Sequence, residues 1–169
     1  MVTLRTDRLV LRNFRPDDWE ALHELAVWYQ ASEWAKYDHP WPTQEEEVKG
    51  MAEWLSGEEG FLAVCLKETG RLIGLLNIHR KQEEDGRVHG LGYVFHPDYH
   101  GQGYATEACR AGLDQVFGPW EADRITTGTH PDNEPSLRLL AKLGLKEIGE
   151  GEHTITREAW LASEEASDL

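Results

Sequence analysis

The sequence predicts an α/β (α+β) fold in which a mixed, mostly antiparallel central sheet is flanked by about four helices. Three observations predict it. An alternating run at residues 9–14 precedes an amphipathic helix, three strand-like runs follow one another between residues 61 and 95, and helices and strands alternate in the second half. A length of 169 residues suits one ordinary domain, so we expect a single domain over residues 1–169 with a short acidic tail from about residue 163.

The first third of the chain predicts one strand and two helices. Residues 9–14 alternate apolar and polar side chains, as a half-buried strand does, and Pro16 then opens a helix. The apolar face of that helix consists of Trp19, Leu22, Ala26 and Tyr29. Thr43 and Glu46 have the spacing of a capping box, so we expect Thr43 to cap a second helix. The apolar stripe of the second helix is Val48, Met51, Ala52 and Leu55.

The middle of the chain predicts an antiparallel meander. Strand-like runs lie at residues 61–66, 72–78 and 88–95, and a polar loop at residues 82–86 joins the last two. Consecutive strands with connections this short usually pair with one another.

The second half predicts alternating helices and strands. Apolar residues recur at helical spacing from Ala105 to Phe117, and residues 124–129 form a β-branched strand. Residues 134–143 then form a helix that Gly144 ends. Two last runs predict a closing hairpin: residues 145–149 and 153–156.

Charge and cysteine content exclude several classes of partner. Lys and Arg number 17 against 31 Asp and Glu, a net charge of −14, and no run of five basic residues occurs, so nucleic acid is not an expected partner. No apolar run has the length of a membrane span, and the N-terminus lacks a signal-peptide core. Cys65 and Cys109 lie among apolar neighbours, which indicates buried free thiols. We expect a cytoplasmic protein without a membrane partner.

The most informative segment joins a strand to a helix through Gly101 and Gly103. Glycines allow positive φ and a close approach of main-chain amides, and a helix N-terminus adds partial positive charge, so this turn suits an anion. It is not a Walker A motif because no Gly-Lys-Ser/Thr follows, and it lacks the third glycine of the dinucleotide fingerprint. A tight turn that binds nothing is the alternative.

Three segments resemble the GNAT superfamily of N-acetyltransferases. Residues 92–108, with the turn HGQGYA, resemble its acetyl-CoA motif, usually written Arg/Gln-x-x-Gly-x-Gly/Ala. Residues 133–145 resemble its Asn-x-x-Ser-x-x-Leu-x-x-Lys-Leu-Gly-Phe segment. Residues 6–12 are similar to the opening of the branch that contains the ribosomal-protein N-terminal (alanine/serine) acetyltransferases. The resemblance implies the GNAT fold and an N-acetyltransferase with acetyl-CoA as co-substrate.

The resemblance also implies roles for individual residues. The strand residues that match those pairing with the pantetheine arm are Tyr93, Val94 and Phe95. The turn residues that match those holding the pyrophosphate are His100, Gly101, Gln102, Gly103, Tyr104 and Ala105. Asn133 matches an asparagine that hydrogen-bonds the cofactor arm, and Ser136 matches a serine that protonates the leaving thiolate. A neutral amine would attack the thioester directly.

The sequence departs from the family pattern at three positions. His100 replaces the usual Arg or Gln, which leaves phosphate binding to backbone amides. Leu140 stands where many relatives have a tyrosine acid, which shifts the acid role to Ser136 or to water. Gly90 stands where a glutamate base is common. Candidate bases elsewhere in the chain are His79, His89, Glu150 and Glu152.

Two interpretations remain open for the acceptor and for several side chains. The acceptor is a protein N-terminus or a small amine, and a non-catalytic acyl-CoA-binding module is the alternative to an enzyme. The aromatic residues Trp28, Trp34 and Trp41 either line the acceptor site or pack in an irregular loop or a subunit contact, which allows a homodimer. The basic residues Arg138, Lys142 and Lys146 either meet the 3′-phosphate or form a solvated helix face. Uneven acidity favours a cationic amine, and no compact Cys/His set predicts a metal.

Overall fold

The structure, a computed structural model, describes residues 1–82 and 87–168. The predicted loop at residues 82–86 therefore lies outside the described residues, apart from Gln82. The nine strands of the described chain are β1 (Thr3–Arg5), β2 (Leu9–Asn13), β3 (Phe61–Leu66), β4 (Leu72–Asn77), β5 (Val88–Gly90), β6 (Gly92–Phe95), β7 (Arg124–Gly128), β8 (Lys146–Glu147) and β9 (Glu152–Thr156). The five α-helices are α1 (Trp19–Ala31), α2 (Glu45–Ser56), α3 (Tyr104–Phe117), α4 (Glu134–Leu143) and α5 (Arg157–Ser167).

The strands form two sheets, which meet where the chain passes from β5 to β6. The first has the order β1-β2-β3-β4-β6 and is antiparallel throughout, and the second has the order β5-β7-β9-β8 with a parallel β5–β7 pair. This mixed, mostly antiparallel arrangement with flanking helices confirms the predicted fold class. The prediction of about four helices missed the fifth.

The strand predicted at residues 88–95 is divided at Leu91. Its first part, β5, pairs with β7, whereas its second part, β6, pairs with β4. The hydroxyl of Thr127 donates to the carbonyl of Leu91 at 2.6 Å and ties β7 to this division point. Beyond it, no described strand pairs with the second edge of β6, so the sheet opens into a cleft.

Apolar side chains cover both faces of the first sheet. In β3, Leu62 and Val64 point toward α3 and the Phe117–Trp160 side, whereas Ala63 and Cys65 point toward α1 and α2. A strand buried on both faces has no polar alternation, which is why residues 61–66 form a continuous apolar run. Cys65 and Cys109 are buried free cysteines, as expected.

Two predicted details are wrong. Thr43 does not cap α2: Gln44 occupies the N-cap, its side chain makes no capping bond, and the Thr43 carbonyl instead contacts His23 Nε2 at 2.8 Å. The segment from residue 163 is not a tail but the end of α5, which Thr156 caps. Trp160 anchors that helix in the core and donates from its indole N–H to Asp114 at 2.9 Å.

Candidate active site

A cavity of about 690 Å³ lies where the sheet opens beside β6. Its walls come from β6, the turn before α3, the start of α4 and the segment after α1. The predicted site residues that line it are Tyr93, Val94, Phe95, His100, Gly101, Gly103, Tyr104, Ala105, Asn133 and Ser136. Gln102 is the predicted site residue that does not, because its side chain turns back to donate to the carbonyl of Asp98 at 3.0 Å.

The glycine turn has the backbone geometry that its sequence predicts. Gly101 has φ of 71° and Gly103 has φ of 83°, and Gly103 is the N-cap of α3. Both angles lie in the left-handed region, where a side chain is strained. The turn therefore presents the N-terminus of a 14-residue helix to the cavity, and unpaired amides there favour an anion.

His100 anchors the turn. Its Nε2 atom lies 2.7 Å from the carbonyl oxygen of Phe95, to which the ring N–H donates. The ring therefore fastens the turn to the end of β6.

The backbone of β6 has an open edge that faces the cleft. The N–H of His96 donates to Ile73 at 2.9 Å, and the β4–β6 register runs through Leu75–Val94 and Leu76–Tyr93. Residues alternate their hydrogen-bonding side in an antiparallel ladder, so Val94 faces β4 while Tyr93 and Phe95 direct their N–H groups away from it. These groups are donors available to a ligand in the cleft.

A pair of hydroxyls stands beside that edge. The Tyr93 hydroxyl lies 2.6 Å from Ser136 Oγ, and Ser136 lies in the first turn of α4. Asn133 is the N-cap of α4, and its Oδ1 accepts from the N–H of Ser136 at 3.3 Å. Burial raises the pKa of Tyr93, so this hydroxyl keeps its proton. Leu140 is buried in the core and takes no part.

Arg8 and Glu107 brace the turn from outside, a role that sequence reasoning missed. Arg8 Nε lies 2.7 Å from a Glu107 carboxylate oxygen, and Nη1 donates to the carbonyl of Gln102 at 2.9 Å. The guanidinium also stacks over the Tyr104 ring at 4.2 Å. Two of the three family-like segments, residues 6–12 and 92–108, therefore meet here, and no local pattern in the sequence indicated this contact.

Some of the remaining candidate residues line the cavity, and others lie elsewhere in the structure. Glu33, which sequence reasoning missed, lines the cavity together with Trp34, Arg138 and Lys142. Trp28 instead packs edge-on against His96, Trp41 packs against Tyr29, and Lys146 lies in β8. The candidate bases do not line this cavity: His79 and His89 line a second one, and Glu150 and Glu152 line neither.

Within residues 1–82 and 87–168, no group of three His, Cys, Asp or Glu side chains is arranged to hold a metal ion. None of the helices there is long and apolar enough to cross a membrane.

Comparison with known proteins agrees with this architecture. A family model described as an acetyltransferase (GNAT) domain matches residues 8–146. The Bacillus subtilis (strain 168) protein named uncharacterized N-acetyltransferase YnaD is 31% identical over 147 residues, which cover 86% of this chain and 84% of that protein. The GNAT-family acetyltransferase from Bacillus anthracis has a TM-score of 0.82 at 28% identity, covering 93% of this chain and 99% of that one.

A second solved structure shares the fold. The ribosomal-protein-S5-alanine acetyltransferase from Vibrio fischeri has a TM-score of 0.77 at 17% identity, covering 95% of this chain and 99% of that one. The fold, the cleft and these similarities define an N-acetyltransferase. The chain belongs to the GNAT acetyltransferase family, as its sequence motifs predicted.

Proposed function

We propose that the protein transfers the acetyl group of acetyl-CoA to a primary amine by direct attack. The observation that carries this proposal is the open edge of β6, which runs from the Tyr93–Ser136 hydroxyl pair to the glycine turn at the N-terminus of α3. Main-chain donors along one edge suit the amide-rich pantetheine arm, and the helix N-terminus suits its pyrophosphate.

In this proposal acetyl-CoA lies along β6, with its pyrophosphate at the glycine turn and its thioester beside Ser136. The free N–H groups of Tyr93 and Phe95 pair with the pantetheine arm, Val94 between them lines the cavity while its N–H faces β4, and the turn at residues 100–105 holds the pyrophosphate. Asn133 donates its amide N–H₂ to the arm while its Oδ1 keeps the cap of α4. A cavity of about 690 Å³ has room for the arm and an acceptor amine.

The same arrangement supports acid catalysis at the sulfur. As the amine nitrogen bonds to the thioester carbon, the C–S bond breaks and a thiolate leaves. Ser136 gives that thiolate a proton and regains one from solvent, and the Tyr93 hydroxyl at 2.6 Å holds Ser136 Oγ in place by a hydrogen bond. An N–H of the β6 edge stabilises the oxyanion that forms after the amine attacks and before the C–S bond breaks.

The proposed acceptor class is inferred from the wall of the cavity formed by the end of α1 and the segment after it. Glu33, Trp34 and Tyr29 offer one carboxylate and two aromatic rings, which suit a cationic amine. Similarity to the alanine acetyltransferase fold and the segment at residues 6–12 favour a protein N-terminus, and a small amine is the alternative. Two buried free cysteines support a reducing, cytoplasmic setting.

Acetyl transfer is tested directly with purified protein. Acetyl-CoA is incubated with an N-terminal alanine peptide, an N-terminal serine peptide and spermidine, while thiol release and acetylated product are followed. We expect thiol release matched by product with at least one amine. Tight acetyl-CoA binding without thiol release beyond hydrolysis would instead establish a non-catalytic acyl-CoA-binding module.

A glycine pair tests the placement of the cofactor. Gly103→Val fills the turn and should abolish acetyl-CoA binding. Gly70→Val is the matched control, because Gly70 has a similar φ of 77° in the β3–β4 turn, outside the cavity. Equal acetyl-CoA affinity in the two variants contradicts our placement of the phosphate turn.

A further inference from the structure

We propose that His79 is the general base that takes the proton from the attacking amine. This inference rests on the proposed function, since it assigns a residue to that reaction. Gly90, where the resemblance to the family places a glutamate base, has no side chain, so any side-chain base belongs to another residue of this chain.

The His79 ring lies where a side chain of residue 90 would be. A Cβ built on Gly90 would lie 2.7 Å from Cε1 and 3.1 Å from Nε2 of His79. The N–H of Gly90 also donates to the His79 carbonyl at 2.8 Å, which holds the end of β4 against β5. The absence of a side chain at Gly90 therefore leaves the space that the imidazole fills.

Asn77 orients the imidazole for this role. His79 Nδ1 lies 3.1 Å from Asn77 Oδ1. An amide oxygen only accepts, so Nδ1 carries the hydrogen and Nε2 is left with its lone pair free to take a proton. Asn77 pairs with Gly92 in the β4–β6 register, one residue from Tyr93. His79 lines the second cavity whereas Tyr93 and Ser136 line the first, and the glycines at positions 90 and 92 lie between the imidazole and the hydroxyl pair.

The surroundings of His79 keep the ring neutral and accessible. Partial burial and the nearby Lys81 lower its pKa, so the base form predominates at neutral pH. Its side chain is exposed on a cavity of about 440 Å³. The charged and titratable groups that line this cavity with it are Glu58, Glu59, Arg80, Arg87 and His89.

The other candidates fit the role less well. His89 lines the same cavity but is only 7% exposed and stacks on Trp120 at 5.7 Å, which leaves little access to its ring. Glu150 and Glu152 are exposed and line neither cavity.

The proton balance of the step is complete. The amine nitrogen forms a bond to the acetyl carbon, its proton passes through water to His79 Nε2, and the C–S bond breaks. The thiolate takes a proton from the Ser136 hydroxyl. Solvent then removes the proton from the imidazolium and restores the hydroxyl, so the products are the amide and the free thiol.

The test compares wild-type protein with His79→Gln, using acetyl-CoA and whichever of the two peptides or spermidine wild-type acetylates fastest. We expect kcat to fall by about 10²-fold or more, while the Kd for acetyl-CoA changes less than about twofold. In wild-type, the slope of log kcat/KM against pH should rise to about two below the lowered pKa of the imidazole, one proton from the amine and one from the imidazole. In His79→Gln that slope should be about one. His89→Gln is the matched control and should keep the wild-type profile.

A second variant keeps the proposal testable if His79→Gln folds poorly. Gly90→Ala should displace the ring and lower kcat with the Kd for acetyl-CoA unchanged, whereas Gly50→Ala, where a methyl group meets nothing within 4 Å, should not. A loss of less than about tenfold in folded His79→Gln, or a retained slope of two, overturns the assignment. If wild-type acetylates none of the amines, the proposed function itself fails, which separates the two failures.

Discussion

The hydroxyl of Tyr93 and Oγ of Ser136 lie 2.6 Å apart and join β6 to α4 across the cleft. The two residues are 43 positions apart in the chain. The resemblance to the family predicts a tyrosine acid in the α4 segment, but here that position is Leu140, which is buried in the core. A tyrosine from the neighbouring strand thus brings a phenol to the place where the helix supplies only a serine.

Removing either hydroxyl should slow the chemical step. We expect Ser136→Ala to lower kcat by about 10- to 100-fold, because the thiolate then leaves without a positioned proton donor, with the Kd for acetyl-CoA nearly unchanged. Tyr93→Phe should have a smaller effect of the same kind. Steady-state kinetics and calorimetric acetyl-CoA binding measure the two quantities. A Ser136→Ala variant with wild-type kcat contradicts the acid role.

Asn133 allows its capping role to be separated from a cofactor role. Asp caps a helix as well as Asn but lacks the amide N–H₂, so Asn133→Asp should unfold within about 0.5 kcal/mol of wild-type and Asn133→Ala about 1 kcal/mol lower. If the amide donates to the pantetheine arm, Asn133→Asp should also bind acetyl-CoA about tenfold more weakly. Urea unfolding and binding isotherms test both points. Unchanged affinity in Asn133→Asp means that Asn133 only caps α4.

The brace at the phosphate turn should make stability depend on pH. Burial by itself would raise the pKa of Glu107, but hydrogen bonds from Thr6 and Arg8 outweigh it and lower that pKa. A lowered carboxyl pKa adds stability above the ordinary value of about 4.3, and this stability is lost as pH falls through the lower, native value.

We therefore expect Glu107→Gln to reduce the free energy of unfolding by about 1–2 kcal/mol at neutral pH. The difference from wild-type should shrink as pH falls from about 5 to about 3, as measured by urea unfolding. Glu53→Gln, an exposed position in α2, serves as the control. A difference that stays constant over this range argues against the ion pair as its cause.

Arg138 and Lys142 line the cavity, whereas Lys146 does not. If they meet the 3′-phosphate of acetyl-CoA, Arg138→Gln and Lys142→Gln should each weaken its binding about three- to tenfold. Neither should change the affinity for dephospho-CoA, which lacks that phosphate, and Lys146→Gln should change neither affinity. Equal losses for both ligands place the two cations elsewhere on the cofactor or on a solvated helix face.

Sequence predicted most elements because each one had a local signal. The helix at residues 134–143 is bounded by Asn133 and Gly144, and the structure places α4 between these two residues. The third strand had no signal for its division, because Leu91 is an apolar residue among others and only pairing with β4 or β7 separates its halves. The helix α5 was missed because an acidic, mostly exposed segment has a weak apolar pattern and depends on the single anchor Trp160.

By itself, the sequence determined the family, the fold class and most of the predicted residues that line the cavity, because glycines, caps and apolar periodicity act within a few positions of the chain. The tertiary structure decided which side chains meet. Arg8 reaches Glu107, Tyr93 reaches Ser136 and His79 fills the space beside Gly90 through strand and helix packing between distant positions. Such contacts have no local pattern, since they depend on register and on which elements become neighbours.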